Sequence, residues 1–113
     1  MVDVEQVRRA ALGLPGTTER PSYGTPGFRV KDRLFARVLD DAASLALYCA
    51  DESEKQALIA HDPRVFFTTP HYDGYAMVLA RLAELDEAAL LDVLTESWRL
   101  RAPATLVADF DAG

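Results

Sequence analysis

Apolar positions along this chain recur first every three to four residues, then every two, then every three to four again, and the changes of period mark the elements. Val4, Val7, Ala11 and Leu14 fall at helical spacing behind Asp3 and Gln6, the pair that makes a reciprocal N-terminal capping box. This stripe predicts a first helix, with Arg9 pointing away from it. Leu14-Pro15-Gly16 ends it, because proline lacks an amide donor and glycine accepts left-handed φ. The twelve residues Gly16–Gly27 are crowded with breakers and read as a loop, with a short extended stretch near Glu19 to Tyr23. That length is unusual for a plain connector.

From Phe28 the period becomes two. Phe28–Leu39 alternates on both sides of Lys31-Asp32 and predicts a β-hairpin with a basic tip. Two registers are open. A two-residue turn puts Arg33 and Arg37 on the face of Phe28 and Phe35; a three-residue turn sends them to the other face, since a one-residue slip inverts every side chain. Asp40-Asp41-Ala42-Ala43 turns into a strong strand, Ser44 to Ala50. Asp51, with Glu54 placed to complete a capping box, opens a helix to about His61, which Pro63 stops. Val65–Thr68 reads as a short strand. A polar turn with the hairpin signal Asp73-Gly74 follows, and Tyr75–Leu82, apolar on both faces, is a central returning strand.

Asp86 caps a last helix to about Arg101. Leu90, Leu94, Ser97 and Trp98 share its inner face, while Asp92, Glu96 and Arg99 face water. Pro103 ends it, and residues 104–113, without a period, read as a loosely ordered tail. The order predicts one α+β domain over residues 1–113, arranged α-β3-α-β2-α, an antiparallel sheet with helices packed on one face.

Composition narrows the class without naming a function. Half of the 113 residues are hydrophobic and 27% are charged, as in an ordinary globular domain. The single Cys49 excludes an intramolecular disulfide and, in its apolar run, reads as a small buried thiol. No signal peptide or bilayer-spanning stretch is evident, so a reducing, cytoplasmic setting without a membrane partner is expected. The net charge of −6 is uneven: seven basic against four acidic side chains in residues 1–38, five against fourteen in the remainder. An acidic chain is repelled by a phosphate backbone unless its cations gather on one face.

His71-Tyr72-Asp73 is the most suggestive cluster, as a base with its orienting carboxylate or as two metal ligands. The plainer reading, a turn shaped by Pro70, Asp73 and Gly74, is preferred. With two histidines and one cysteine, a structural zinc site cannot be filled from those residue types. No serine lies in a nucleophile elbow, and the glycine-rich segments carry proline where a phosphate loop needs free amides. No catalytic residue, metal or cofactor is therefore assigned, and no enzyme is expected. The nucleic-acid candidates are Arg29, Lys31, Arg33 and Arg37 of the hairpin, helped by Arg8, Arg9 or Arg20. Solvated charges that guard a sheet edge are the competing account. The aromatic residues offer a second candidate, a pocket between sheet and helices for a planar small molecule, lined by Tyr23, Phe28, His71, Tyr72 and Trp98. Tyr48, Phe66, Phe67 and Tyr75 belong to the same wider aromatic set, for which a plain core is the simpler account. A protein-interaction module using the sheet face is a third reading, which a large exposed apolar patch would favour.

Leu14-Pro15-Gly16-Thr17-Thr18-Glu19, Tyr23-Gly24-Thr25-Pro26-Gly27-Phe28-Arg29-Val30, Leu34-Phe35-Ala36-Arg37, Phe67–Gly74 and Trp98–Pro103 occur in the order and spacing of the MmcQ/YjbR family, which the chain resembles over nearly its whole length. The resemblance implies the same α-β3-α-β2-α domain. It also implies a DNA-binding label resting on a double-wing arrangement of hairpins. The family's recurrent positions fall here on Tyr23, Gly24, Pro26, Phe28 and His71, and it supplies no agreed catalytic residues. Part of its name comes from an antibiotic biosynthesis cluster, so a small-ligand-sequestering or resistance role stands beside DNA binding as an expectation.

Overall fold

Capping side chains set the helix starts. In a computed structural model, which describes residues 1–113, Asp3 accepts the Gln6 amide at 2.8 Å and the Gln6 side chain accepts the Asp3 amide at 2.9 Å. This box opens α1 (Val4–Leu12). Asp51 caps α2 (Glu52–His61) through the Glu54 amide, and Asp86 caps α3 (Glu87–Arg101) through the Ala89 amide, each at 2.8 Å. The Glu54 carboxylate returns one residue earlier than a regular box requires, to the Ala50 amide at 3.3 Å.

Between the helices run β1 (Thr17–Ser22), β2 (Thr25–Val30), β3 (Arg33–Val38), β4 (Ser44–Tyr48), β5 (Phe66–Phe67) and β6 (Met77–Arg81). They form one antiparallel open sheet in the order β1-β2-β3-β4-β6-β5. The α+β class and helices on one face are as expected, but the sheet gains a strand and the chain gains a helix. The segment read as a twelve-residue loop holds β1, a polar edge strand whose Thr-Thr-Glu-Arg-Pro-Ser sequence has no apolar alternation to announce it. The tail read as loosely ordered forms α4 (Ala104–Ala112), whose Leu106, Val107 and Phe110 pack on the core.

The first two hairpins turn on pairs of residues in left-handed backbone: Tyr23 and Gly24 at φ 52° and 81°, and Lys31 and Asp32 at φ 50° and 66°. The second is the two-residue turn, closed by Val30 opposite Arg33. That register does not persist. Arg29 faces Leu34 whereas Phe28 faces Ala36, so β3 carries an extra residue at Phe35. The bulge buries Phe35 and Ala36 together and sends Arg37, opposite Gly27, to the face away from Phe28. A Cβ at Gly27 would stand 2.9 Å from Ser22 Cβ and 3.0 Å from the Arg20 carbonyl, so β1 and β2 approach there only because the residue is glycine.

The core lies between one sheet face and the helices. Phe28, Val30, Phe35, Leu45, Leu47, Val78 and Ala80 of the strands meet Val7 and Ala11 of α1 and Leu90, Leu94 and Trp98 of α3. The inner face of α3 comprises Leu90, Leu94, Ser97 and Trp98, the four residues its periodicity marks. Ser97 also repairs the ladder beside the bulge. The β3–β4 pairing stops at Ala36 and Leu47; beyond it the Ser97 hydroxyl donates to the Phe35 carbonyl and accepts the Tyr48 amide at 2.9 Å. Ser97→Ala is expected to lower stability by about 1–3 kcal/mol, because two buried backbone groups lose their partner. Urea denaturation checks this, and a loss below about 0.5 kcal/mol would mean that the two groups pair elsewhere.

Candidate functional site

The sheet face away from α1 and α3 carries an open cleft of about 840 Å³. Its floor comes from strand residues of that face: Leu34 and Arg37 of β3, which the bulge brings to one side, Tyr48 of β4 and Met77 of β6. One wall is the β1–β2 turn with Tyr23. The other is the loop between β5 and β6 with His71, Tyr72 and Tyr75. All four tyrosines of the chain line this one cleft. Tyr23 is 90% exposed and Tyr75 63% exposed, which places two large rings in solvent contact.

Arg37 organises the floor. Its side chain is 12% exposed, and it donates to the Ser22 carbonyl at 3.0 Å, the Tyr72 hydroxyl at 3.3 Å and Asp40 at 3.3 Å. Its guanidinium lies 5.3 Å from the centre of the Tyr23 ring. The same arginine thus ties both walls together. A bulky residue at φ 52° is strained, and such strain persists where the surroundings over-determine it. At Tyr23 the determinants are the two-residue turn and the arginine beneath the ring.

The second wall is held from behind by Lys55 of α2, the one charged side chain in the buried set, at 0% exposure. Its ammonium donates to the backbone carbonyls of Tyr72 at 2.7 Å and Tyr75 at 3.1 Å, with Glu52 at 4.0 Å. Nothing in the apolar pattern of α2 marks this lysine, because its partners are main-chain atoms of a distant loop. A third cation edges the cleft: Arg101 of α3 donates from Nε to the Leu34 carbonyl at 2.9 Å and sets its guanidinium 4.2 Å from the Tyr48 ring centre.

The sequence-derived pocket is therefore partly assembled and on the opposite face. Tyr23, His71 and Tyr72 line the cleft, but Phe28 and Trp98 do not: both are fully buried in the core on the other side of the sheet. Phe28 and Trp98 point to the helix side of the sheet, whereas Tyr48 and Met77, opposite each other in β4 and β6, point to the cleft. Leu34, Arg37, Leu39, Tyr48, Tyr75 and Met77 complete it, with Asp40 and Asp41 at its end. His71 sits edge-on to Tyr72 with ring centres 5.1 Å apart, and the Asp73 carboxylate takes the Thr68 hydroxyl at 3.3 Å rather than orienting the imidazole. No three His, Cys, Asp or Glu side chains converge as metal ligands would.

The basic residues singled out for nucleic acid divide: Arg20, Arg29, Lys31 and Arg33 gather around the β2–β3 tip, and Arg8, Arg9 and Arg37 lie elsewhere. Lys31 and Arg33 are exposed at the β2–β3 tip, and Arg29 lies beside them with Nη1 3.5 Å from the Asp32 carbonyl. Arg20 pairs with Asp32 at 3.3 Å. Arg8 is held by Glu5 and, at 2.7 Å, by Glu19, and Arg37 belongs to the cleft. Arg9 is exposed on α1, in a separate groove of about 500 Å³ with Gln6, Glu87 and Leu91.

Cys49 is buried in the core, and burial, with Glu54 adding to it, pushes its thiol up to about 11. A thiol so shifted is protonated at neutral pH and a poor nucleophile. The folded protein is expected to leave an aromatic disulfide reagent unreacted at pH near 8, releasing one equivalent of thiolate only after denaturation. Rapid release from the folded protein would contradict the burial.

No helix is long and apolar enough to cross a membrane. Among known proteins, the family model described as YjbR matches residues 12–100. A Mycobacterium bovis protein and its counterparts in two Mycobacterium tuberculosis strains, all described as uncharacterised, are each 52% identical to this chain, with 97% of it and 96% of their own length aligned. The crystal structure of a Deinococcus radiodurans protein described as a DUF419 domain has a TM-score of 0.72 at 23% identity, covering 88% of this chain and 78% of the other. That last likeness is one of fold.

Proposed function

This chain belongs to the YjbR family, and on that premise we propose that it is a non-enzymatic binding module that holds a small planar aromatic molecule in the tyrosine-lined cleft. The observation that carries the reading is the gathering of all four tyrosines around one concavity, two of them largely exposed. Rings in water bury no apolar area, whereas a flat ligand between them removes area from solvent on both partners. The cleft volume of about 840 Å³ lies in the range of small-molecule sites. The module works in a reducing, cytoplasmic setting, where the lone Cys49 thiol stays free.

Amide NMR of the labelled protein against a set of planar aromatic fragments tests the reading. Saturable shifts at Tyr48, Tyr75 and Met77 are the expected result. Fragments that bind only elsewhere would remove it.

DNA binding is the second reading, favoured by Lys31 and Arg33, which stand exposed at the β2–β3 tip without carboxylate partners. It predicts salt-sensitive shifts over Phe28–Val38 when a short duplex is added. Reversing the charge of both residues should weaken binding and flatten its salt dependence. A spectrum unmoved by the duplex at low salt would discard this reading.

A further inference from the structure

The two ends of the cleft differ in charge, and the difference names a ligand chemistry. At one end, past the close of β3, stand the exposed carboxylates of Asp40, paired with Arg37 at 3.3 Å, and Asp41, which has no cation partner. The other end begins at Leu34, six residues earlier and about 20 Å away at strand rise. Leu34 there is flanked by two arginines. Arg101 reaches it from the last turn of α3, with its Nε–H on the Leu34 carbonyl and its guanidinium on the Tyr48 ring. Arg29 lies directly across the β2–β3 ladder from Leu34, and opposite residues of a ladder share a face.

Neither arginine has a carboxylate partner, in contrast to Arg99, two residues before Arg101, which is taken up by Asp111 and Glu96. The terminal nitrogens of Arg101 have no acceptor in the protein. The Nε of Arg29 is buried and has no acceptor, while its Nη1 lies 3.5 Å from the Asp32 carbonyl at the hairpin turn. Buried donors are normally paired, so an unpaired guanidinium N–H on one side of Leu34 and free guanidinium donors on the other are suited to receive an oxyanion. Guanidinium donors answer carboxylate and phosphate oxygens with charge-assisted bonds.

We infer that Arg101 and Arg29 form an anion subsite at the Leu34 end of the cleft, so that its ligand is a planar aromatic molecule carrying a carboxylate or phosphate group. The inference rests on the cleft being the ligand site. The ring lies among Tyr48, Tyr75 and Met77 with its oxyanion toward Arg101. The carboxylate of Asp41, without a cation partner, disfavours the reverse orientation.

Four probes of one shape test it on the full chain by amide NMR: 2-naphthoate, 2-naphthyl phosphate, the neutral 2-naphthalenemethanol and the cationic 2-naphthylmethylammonium. Both anions are expected to shift Leu34, Tyr48 and Met77 and to bind about fivefold or more tighter than the alcohol, with the ammonium weakest. Tighter binding of the phosphate over the carboxylate, or the reverse, assigns the group. Arg101→Gln should bring the anions down to the alcohol's affinity and leave the alcohol unchanged. If Arg101→Gln fails to fold, Arg29→Gln carries the same test, because it spares the bond to the Leu34 carbonyl; it should cut the anion preference by at least half. Equal binding of naphthoate and the alcohol in the cleft, or an anion preference that survives both substitutions, overturns the subsite and leaves the aromatic cleft standing. If none of the four probes shifts a cleft residue, both readings fall.

Discussion

Trp98→Ala is expected to destabilise the protein by about 3–5 kcal/mol, a large part of the 5–15 kcal/mol typical of a single domain. The indole is fully buried at the junction of three elements. It belongs to α3, its Nε1–H donates to the Pro15 carbonyl at 3.0 Å just after α1, and its ring meets Phe110 of α4 with centres 5.0 Å apart. Deleting it opens a cavity that α4 must collapse into or leave empty, and it strands a carbonyl at the chain's first turn. Trp98→Phe keeps most of the apolar contact and should cost about 1–2 kcal/mol. Thermal and urea unfolding followed by circular dichroism measure both. A loss under 1.5 kcal/mol for the alanine variant would contradict the packing described for α4.

Lys55→Met carries the second large effect, about 2–4 kcal/mol, with a regional signature. Methionine fills a similar volume, so the loss is chiefly electrical: the Tyr72 and Tyr75 carbonyls are left without their donor. Amides of residues 68–76 should then exchange with deuterium markedly faster, while those of β3 and β4 slow or speed only as global stability dictates. Lys55→Arg is not expected to rescue, because a fully buried site has no room for the larger planar head group. Unchanged exchange in the loop of Lys55→Met would show that the lysine does not hold the cleft wall.

Local signals were legible in the sequence. Asp3, Asp51 and Asp86 announce their helices because an N-cap is decided within four residues, and the inner face of α3 follows from spacing alone. Features decided across the fold were not. β1 is polar and gains its place by pairing with β2, which no alternation within it reveals. The bulge at Phe35 reverses the parity of β3, so the face of Arg37 could not be assigned from period two. The four tyrosines lie at positions 23, 48, 72 and 75 and meet only once the sheet is built. Phe28 and Trp98 carry the same aromatic chemistry as the cleft residues, and chemistry alone gives no sign of which side of a sheet a ring occupies. Lys55 reads as an ordinary solvated helix residue because carbonyl partners leave no trace in side-chain sequence.

The division of aromatic residues by the sheet has an optical consequence. One tryptophan lies in the dry layer against α4, and all the tyrosines lie on the opposite side. Long-wavelength ultraviolet excitation selects the indole, whose emission maximum reports the polarity of the core and moves to the red when α4 lifts or the chain unfolds. Shorter wavelengths also excite the phenols, whose emission and energy transfer to the indole change when a molecule settles between them. The native chain, without any label, therefore reports folding and cleft occupancy in two separable fluorescence channels.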